Sequence, residues 1–287
     1  MMTIREYKRV ESLEEAWELN QKKANRVIGG MIWLKMSRGN VGTAIDISGL
    51  GLDQIEETED AFEIGAMVTL RQLEEHPGLA AYTDGAMRES VRHIVGVQLR
   101  NLATVGGSIY GRFGFSDVLT MFLAMDTEVE LYKAGRMPLM EFAKQIGGRD
   151  ILVKLIVHKD KAVYHYQSVR NTQTDFPVLT CAAAKRADGA YRFSIGARPG
   201  RAVLFEASAE TIQALIEEKQ KAETKADADA DTRESQDKTQ TGKKAACLAK
   251  WIRDQVQTSS NMRGSAEYRK HLIGVLIKRA VRVLEEC

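Results

Sequence analysis

Apolar and polar positions alternate along Ala61-Phe62-Glu63-Ile64-Gly65-Ala66 and along Thr127-Glu128-Val129-Glu130-Leu131. Successive side chains of a strand point to opposite faces, so both stretches read as strands. Arg26-Val27-Ile28 and Ala44-Ile45-Asp46-Ile47 read as two more, the second closed by Ser48-Gly49. Ser12-Leu13-Glu14-Glu15 has the spacing of a capping box and predicts a helix running to about Ala24, with Leu13, Ala16 and Trp17 on its apolar face. Residues 1–50 thus form a small α/β unit. Thr69 to Leu73 starts a short helix that Pro77-Gly78 should end. From Asp84, the spacing of Met87, Val91, Ile94 and Val95 predicts a helix that buries this stripe and stops before Arg100. A further helix follows Asp117.

Gly147-Gly148-Arg149-Asp150 is polar and glycine-rich and reads as a domain boundary. After it come four strand-like segments, 151–157, 162–169, 178–185 and 190–196, with Asp188-Gly189 as a hairpin turn between the last two. They predict a small antiparallel sheet. Helices over 208–219, 248–256 and from Ser265 onward should cover it, the last one through Tyr268, Leu272, Val275, Leu276 and Val283. Residues 217–244 contain no Val, Ile, Leu, Met or aromatic side chain. Such a stretch buries too little apolar surface to offset its ordering entropy and reads as a solvated insert, part of which can extend a helix.

A length of 287 residues is that of about two domains, and a net charge of +2 gives no electrostatic case for nucleic acid. No apolar run is long enough to span a membrane and the start of the chain lacks a signal-peptide core, so a cytoplasmic location is expected. Cys181, Cys247 and Cys287 form no close pair and are too few to hold an iron–sulfur cluster. The five histidines show no zinc-site spacing, and no metal ligands are expected on this chain.

The chemistry-bearing candidates are two glycine pairs. In Arg100-Asn101-Leu102-Ala103-Thr104-Val105-Gly106-Gly107-Ser108-Ile109, Gly106-Gly107 stands between two hydroxyls. Taken alone, it fits a tight turn between core elements better than an anion nest. Val27-Ile28-Gly29-Gly30 is a second such pair, leaving a strand. Two such loops can close on one pyrophosphate from two sides, because glycine lets backbone N–H groups come close to a ligand. Neither has the spacing of the dinucleotide fingerprint or of the phosphate loop.

Together with Ile64-Gly65-Ala66, Thr69, Asp117, the run Ala124-Met125-Asp126 to Leu131, and the late Ser265-Ala266-Glu267-Tyr268-Arg269, these motifs make the chain resemble the FAD-binding medium subunit of the molybdenum hydroxylases. That family includes xanthine dehydrogenases and aerobic carbon monoxide dehydrogenase. The resemblance covers nearly the whole chain. It implies an α+β fold: a two-part α/β FAD-binding (PCMH-like) domain over 1–157, with subdomains of about 1–55 and 56–157. A C-terminal domain over 158–287 would hold a small antiparallel sheet flanked by helices and carry the 217–244 insert.

The resemblance also implies a task. A partner large subunit would carry the molybdenum cofactor and oxidise the substrate. A partner small subunit would carry [2Fe–2S] clusters and pass electrons to non-covalent FAD here, and NAD+ or another acceptor would take them. Val27, Ile28, Gly29, Gly30, Met31 and Ile32 would hold the FAD pyrophosphate from one side, and Thr104, Val105, Gly106, Gly107 and Ser108 from the other. Asp117 would accept hydrogen bonds from ribityl or ribose hydroxyls. Ile94 and Leu152 would make apolar contacts with the flavin or adenine. No acid, base or nucleophile is expected, because the reactivity belongs to the isoalloxazine ring. Three features depart from the family pattern: Met31 and Ile32 replace a polar pair, Ser108 replaces Asn or Asp, and Gly111-Arg112-Phe113-Gly114-Phe115-Ser116 replaces a small, proline-containing stretch. Arg112 fits a phosphate ligand and a surface residue equally. The alternatives are an assembly subunit with weakened flavin binding and a stand-alone flavin oxidoreductase. The second is disfavoured because no His or Cys for covalent attachment lies between Val27 and Asp46.

Overall fold

A computed structural model describes residues 2–226 and 239–287, and its strands form three sheets. The first is parallel, in the order β1-β3-β2, built from β1 (Met2–Arg9), β2 (Arg26–Ile28) and β3 (Gly39–Asp46). Helix α1 (Leu13–Asn20) packs on it through Ala16, with Leu13 and Trp17 beside the same small core as Val10, Ile45 and Ile47. Ser12 caps α1 as expected, but Glu15 reaches back to the N–H of Glu11 rather than that of Ser12. Strand β1 was not evident from the sequence. It is an edge strand whose side chains are mostly exposed, so it shows charge rather than apolar alternation.

The second sheet is antiparallel, β4-β5-β8-β6-β7. It comprises β4 (Ile55–Glu57), β5 (Ala61–Gly65), β6 (Thr127–Leu131), β7 (Gly135–Pro138) and β8 (Leu152–His158). Short helices α2 (Leu70–Glu75), α3 (Pro77–Tyr82), α4 (Ala86–Val91), α5 (Val97–Arg100), α6 (Val105–Gly111) and α7 (Asp117–Ala124) run between β5 and β6, and α8 (Leu139–Lys144) follows β7. Two expectations change here. Pro77 opens α3 at its first position, where a missing N–H costs nothing, rather than only ending α2. The helix after Asp84 stops at Val91, and Val95, with a left-handed φ of 52°, points out half exposed instead of joining Met87 and Val91.

The third sheet is antiparallel, β12-β11-β10-β9, from β9 (Ala162–Arg170), β10 (Pro177–Arg186), β11 (Tyr191–Gly196) and β12 (Val203–Ala207). Segment 151–157, expected to lead into this sheet, is instead β8, central in the second sheet between β5 and β6. Gly147-Gly148 is therefore a connection within that sheet. Strand β12 takes the fourth place in the third sheet. Helices α9 (Ala209–Ala226), α10 (Gln240–Gln255) and α11 (Ala266–Glu286) follow. Of the expected insert, residues 227–238 lie outside the described residues, and both flanks are helical.

Strand β10 sits between two cores. Ala182 and Ala184 face the core that holds α7, Phe62 and Leu155, whereas Cys181 and Ala183 face α10 and α11. Small side chains let helices approach both faces. Helix α11 buries Leu272, Ile273, Leu276, Ile277, Ala280, Val281 and Leu284. Its buried face is turned from the expected one, with Tyr268 and Val283 exposed. The fully buried Arg269 starts that face: its guanidinium donates to the carbonyls of Val178, Ser259 and Gly264 and to Asn261 Oδ1.

Candidate functional site

Strand β2 ends at Ile28, and Gly29-Gly30-Met31-Ile32 leave the carboxyl end of a parallel sheet, the edge at which open α/β sheets take ligands. Among the described residues, the backbone N–H groups of these four donate to no protein acceptor. Met31 is left-handed, with φ 56°, a conformation that turns successive N–H groups toward one side. Gly29 is exposed, and Gly30, Met31 and Ile32 are half-buried. Val27 is half-buried and Ile28 buried in the strand below.

The loop lies directly on the second glycine segment. A Cβ on Gly30 would stand 1.7 Å from the Leu102 carbonyl oxygen, and one on Gly29 would stand 2.7 Å from Thr104 Oγ1. Only glycine allows that approach. The second pair is not itself a loop. Thr104 is the N-cap of α6, its Oγ1 accepts from the Gly107 N–H at 3.1 Å, and Gly106-Gly107 form the first turn. The N–H groups of Val105 and Gly106 donate to the carbonyls of Val68 and Ala66, each at 2.8 Å, and that of Ser108 donates to Thr104 O. The two pairs were expected to hold one pyrophosphate from two sides. Instead the donors of the first pair are free, and those of the second are taken by the turn after β5 and by the cap itself. The second segment leaves Gly107 exposed, and the buried Thr104 hydroxyl, which accepts from the Gly107 N–H, keeps its proton free to donate. The Ser108 hydroxyl donates back to Thr104 O at 3.0 Å.

The remaining candidates lie deeper. Ile94 and Leu152 pack with the large core around Phe62. Asp117 opens α7, is 4% exposed, and its Oδ1 accepts from the Tyr166 hydroxyl and the Arg170 guanidinium. Burial raises its carboxyl above the ordinary range, and Arg170 and Tyr166 pull it back. The ribityl role expected for Asp117 therefore meets an oxygen already engaged by the third sheet. Arg112, expected as a phosphate ligand or a surface residue, is not on the surface: it ends α6 and reaches toward the Gly147 carbonyl. It is buried, with its guanidinium 4.1 Å from the centre of the Phe142 ring, and burial lowers its pKa. Sequence reasoning missed a buried ion pair next to the second segment. Arg100 Nε donates to Glu74 at 2.8 Å, Arg71 binds the same carboxylate, and Arg100 also holds the Ile94 carbonyl. Burial pushes Glu74 up, but the two guanidinium groups hold it below its ordinary value. No helix among the described residues is long and apolar enough to cross a membrane.

Residues 2–159, more than half of the chain, match the family model of the FAD binding domain in molybdopterin dehydrogenase. The chain belongs to that FAD-binding family. This flavin-binding chain is also similar over nearly its whole length to the Escherichia coli (strain K12) protein YgfM, at 22% identity over 278 residues, covering 96% of this chain and 94% of the relative. Its fold matches a chain of quinoline 2-oxidoreductase from Pseudomonas putida 86 with a TM-score of 0.77 at 17% identity, covering 98% and 96% of the two chains. It likewise matches a chain of carbon monoxide dehydrogenase from Hydrogenophaga pseudoflava, in a form lacking the Mo-pyranopterin moiety of the molybdenum cofactor. That match has a TM-score of 0.77 at 20% identity, covering 98% and 97%. The expected α+β class and the FAD-binding assignment both hold.

Proposed function

We propose that this chain is the electron-transfer subunit of a molybdenum hydroxylase, holding non-covalent FAD between a [2Fe–2S] donor on a small partner subunit and an acceptor such as NAD+. The molybdenum cofactor would sit on a large partner subunit, and the complex would work in the cytoplasm. The observation that carries the reading is the set of unpaired N–H groups from Gly29 to Ile32. They leave the carboxyl end of β2 and lie against Thr104, where a pyrophosphate would satisfy them. FAD, when bound, accepts electrons and passes them on. The chain's own residues bind and orient it. Gly29 to Ile32 donate to the pyrophosphate through the backbone. Thr104 offers its hydroxyl proton, and Gly107 leaves the opposite wall open. Asp117, fixed by Arg170 and Tyr166, closes the floor beside α7. In this reading Val27 and Ile28 anchor the loop, and Ile94 and Leu152 support the ring side from the core.

Gly107→Val tests the placement. A Cβ there meets only Thr104 Oγ1, at 3.1 Å, so the fold should survive while the branched side chain fills the phosphate approach. The variant should keep its melting profile and lose bound FAD. A variant that retained stoichiometric FAD would move the site elsewhere.

A second reading, an assembly subunit with weakened flavin binding, is favoured by two observations. Met31 and Ile32 supply no side-chain donors, and the N–H groups of Val105, Gly106 and Gly107 are spent within the protein. Four free backbone donors in one turn favour the flavin-loaded reading over it.

A further inference from the structure

Directly after the loop of unpaired N–H groups stands Trp33. Its ring meets three phenylalanine rings from two distant parts of the chain. The centroids lie 5.8 Å from Phe113, 5.2 Å from Phe115 and 5.5 Å from Phe176. Phe113 and Phe115 stack with an interplanar angle of 8°, and Phe115 lies 4.5 Å from Phe176. The supports are themselves fixed. The Gly114 carbonyl, between the two phenylalanines, accepts from the Ala197 N–H at 2.9 Å. The Arg263 guanidinium lies 4.8 Å from the Phe176 ring and pairs with Asp175. Despite three ring neighbours, Trp33 is 40% exposed. An indole braced from behind and open in front is a stacking surface whose ordering cost has been met before any ligand arrives.

We propose that Trp33, braced by Phe113, Phe115 and Phe176, stacks on a planar ring of the bound dinucleotide. This rests on the reading that the Gly29–Ile32 loop holds the FAD pyrophosphate. Both rings of FAD flank its pyrophosphate, and Trp33 directly follows Ile32 in the same run of unpaired N–H groups, so it lies within reach of one of them. The quartet draws one residue from the first glycine loop, two from the α6–α7 connection and one from the approach to β10. Stacking here would therefore tie cofactor binding to the seating of all three segments.

The test uses the full chain and its Trp33→Leu and Trp33→Phe variants, with FAD affinity, emission of the bound flavin and melting temperature measured together. Stacking predicts that Trp33→Leu weakens FAD by roughly tenfold to a hundredfold, that Trp33→Phe stays within a few-fold of the parent, and that the melting temperatures of the two variants agree. FMN and ADP distinguish the rings. A penalty for Trp33→Leu on FMN assigns the isoalloxazine, with brighter emission from the bound flavin. A penalty on ADP assigns the adenine. The proposal is overturned if Trp33→Leu binds FAD as the parent does, or if Trp33→Phe loses as much as Trp33→Leu. A parent chain that takes up no FAD overturns both this proposal and the reading beneath it, and FAD uptake without a Trp33 effect overturns the proposal alone.

Discussion

Thr104 joins the two glycine segments at a single side chain. Its Oγ1 caps α6 through the Gly107 N–H and lies where a Cβ on Gly29 would have to go. Thr104→Val removes the cap and should cost about 1 kcal/mol in urea unfolding, in line with other lost N-caps, together with a measurable drop in FAD affinity. Gly30→Ala should be more severe for the cofactor. Its Cβ would collide with the Leu102 backbone, so the loop must leave its seat. The expected result is loss of FAD, with most of the melting temperature retained. At this scale the sequence was partly legible. Gly29-Gly30 stands out because a glycine pair permits close backbone approach, and Thr104 because it stands just before a second pair. The engagement of Asp117 was not legible, since its partners Tyr166 and Arg170 lie 49 and 53 residues away and follow no local spacing. The spent donors of Val105 and Gly106 were hidden for the same reason, as their acceptors belong to the turn after β5.

Among the elements, those with strong periodicity came through best. Strands β5, β6, β9, β10 and β11 alternate or run apolar, and the Asp188-Gly189 hairpin carries its own turn chemistry. The edge strand β1, the four-residue β7 and the one-and-a-half-turn α8 were missed because each is short or mostly solvated. The late Ser-Ala-Glu-Tyr-Arg motif gains a physical account: Ser265 caps α11, and Arg269 ties the 259–264 loop and β10 to that helix. Arg269→Met should destabilise the chain by about 3 kcal/mol, because it strands several buried carbonyls. Chemical denaturation measures that loss. At the far end of α11, Glu285 binds Lys244 at 2.9 Å, Lys185 at 3.3 Å and the Tyr191 hydroxyl. Burial pushes its carboxyl up, but the bonds from Lys244 and Tyr191 outweigh that and hold it down at about 2, against an ordinary 4.5. A carboxyl depressed on folding stabilises fully above its unfolded value and loses that contribution as the pH falls through its folded value. Glu285→Gln should therefore lower the melting temperature at pH 7, with the gap to the parent closing between about pH 4.5 and pH 2.

Across the whole molecule, a parallel sheet supplies a loop with free donors, a second sheet supplies the capped helix it rests on, and a third sends Tyr166, Arg170 and Phe176 to the same neighbourhood. The third, antiparallel sheet was foreseeable from its run of strands and the Asp188-Gly189 turn. The place of β8 was not, because an apolar run after a polar glycine pair looks the same whether it closes one sheet or opens the next. Its pairing with β5 joins residues more than 80 positions apart, and its place between β5 and β6 depends on the core that α7 fills. This arrangement holds FAD without a covalent bond. The most direct measurement is the visible absorption spectrum of the purified chain, recorded before and after incubation with FAD and removal of the excess. Two flavin bands are expected at one FAD per chain, with all the flavin released into the supernatant on denaturation. A chain that stays colourless after incubation, or flavin that stays with the denatured protein, would contradict it.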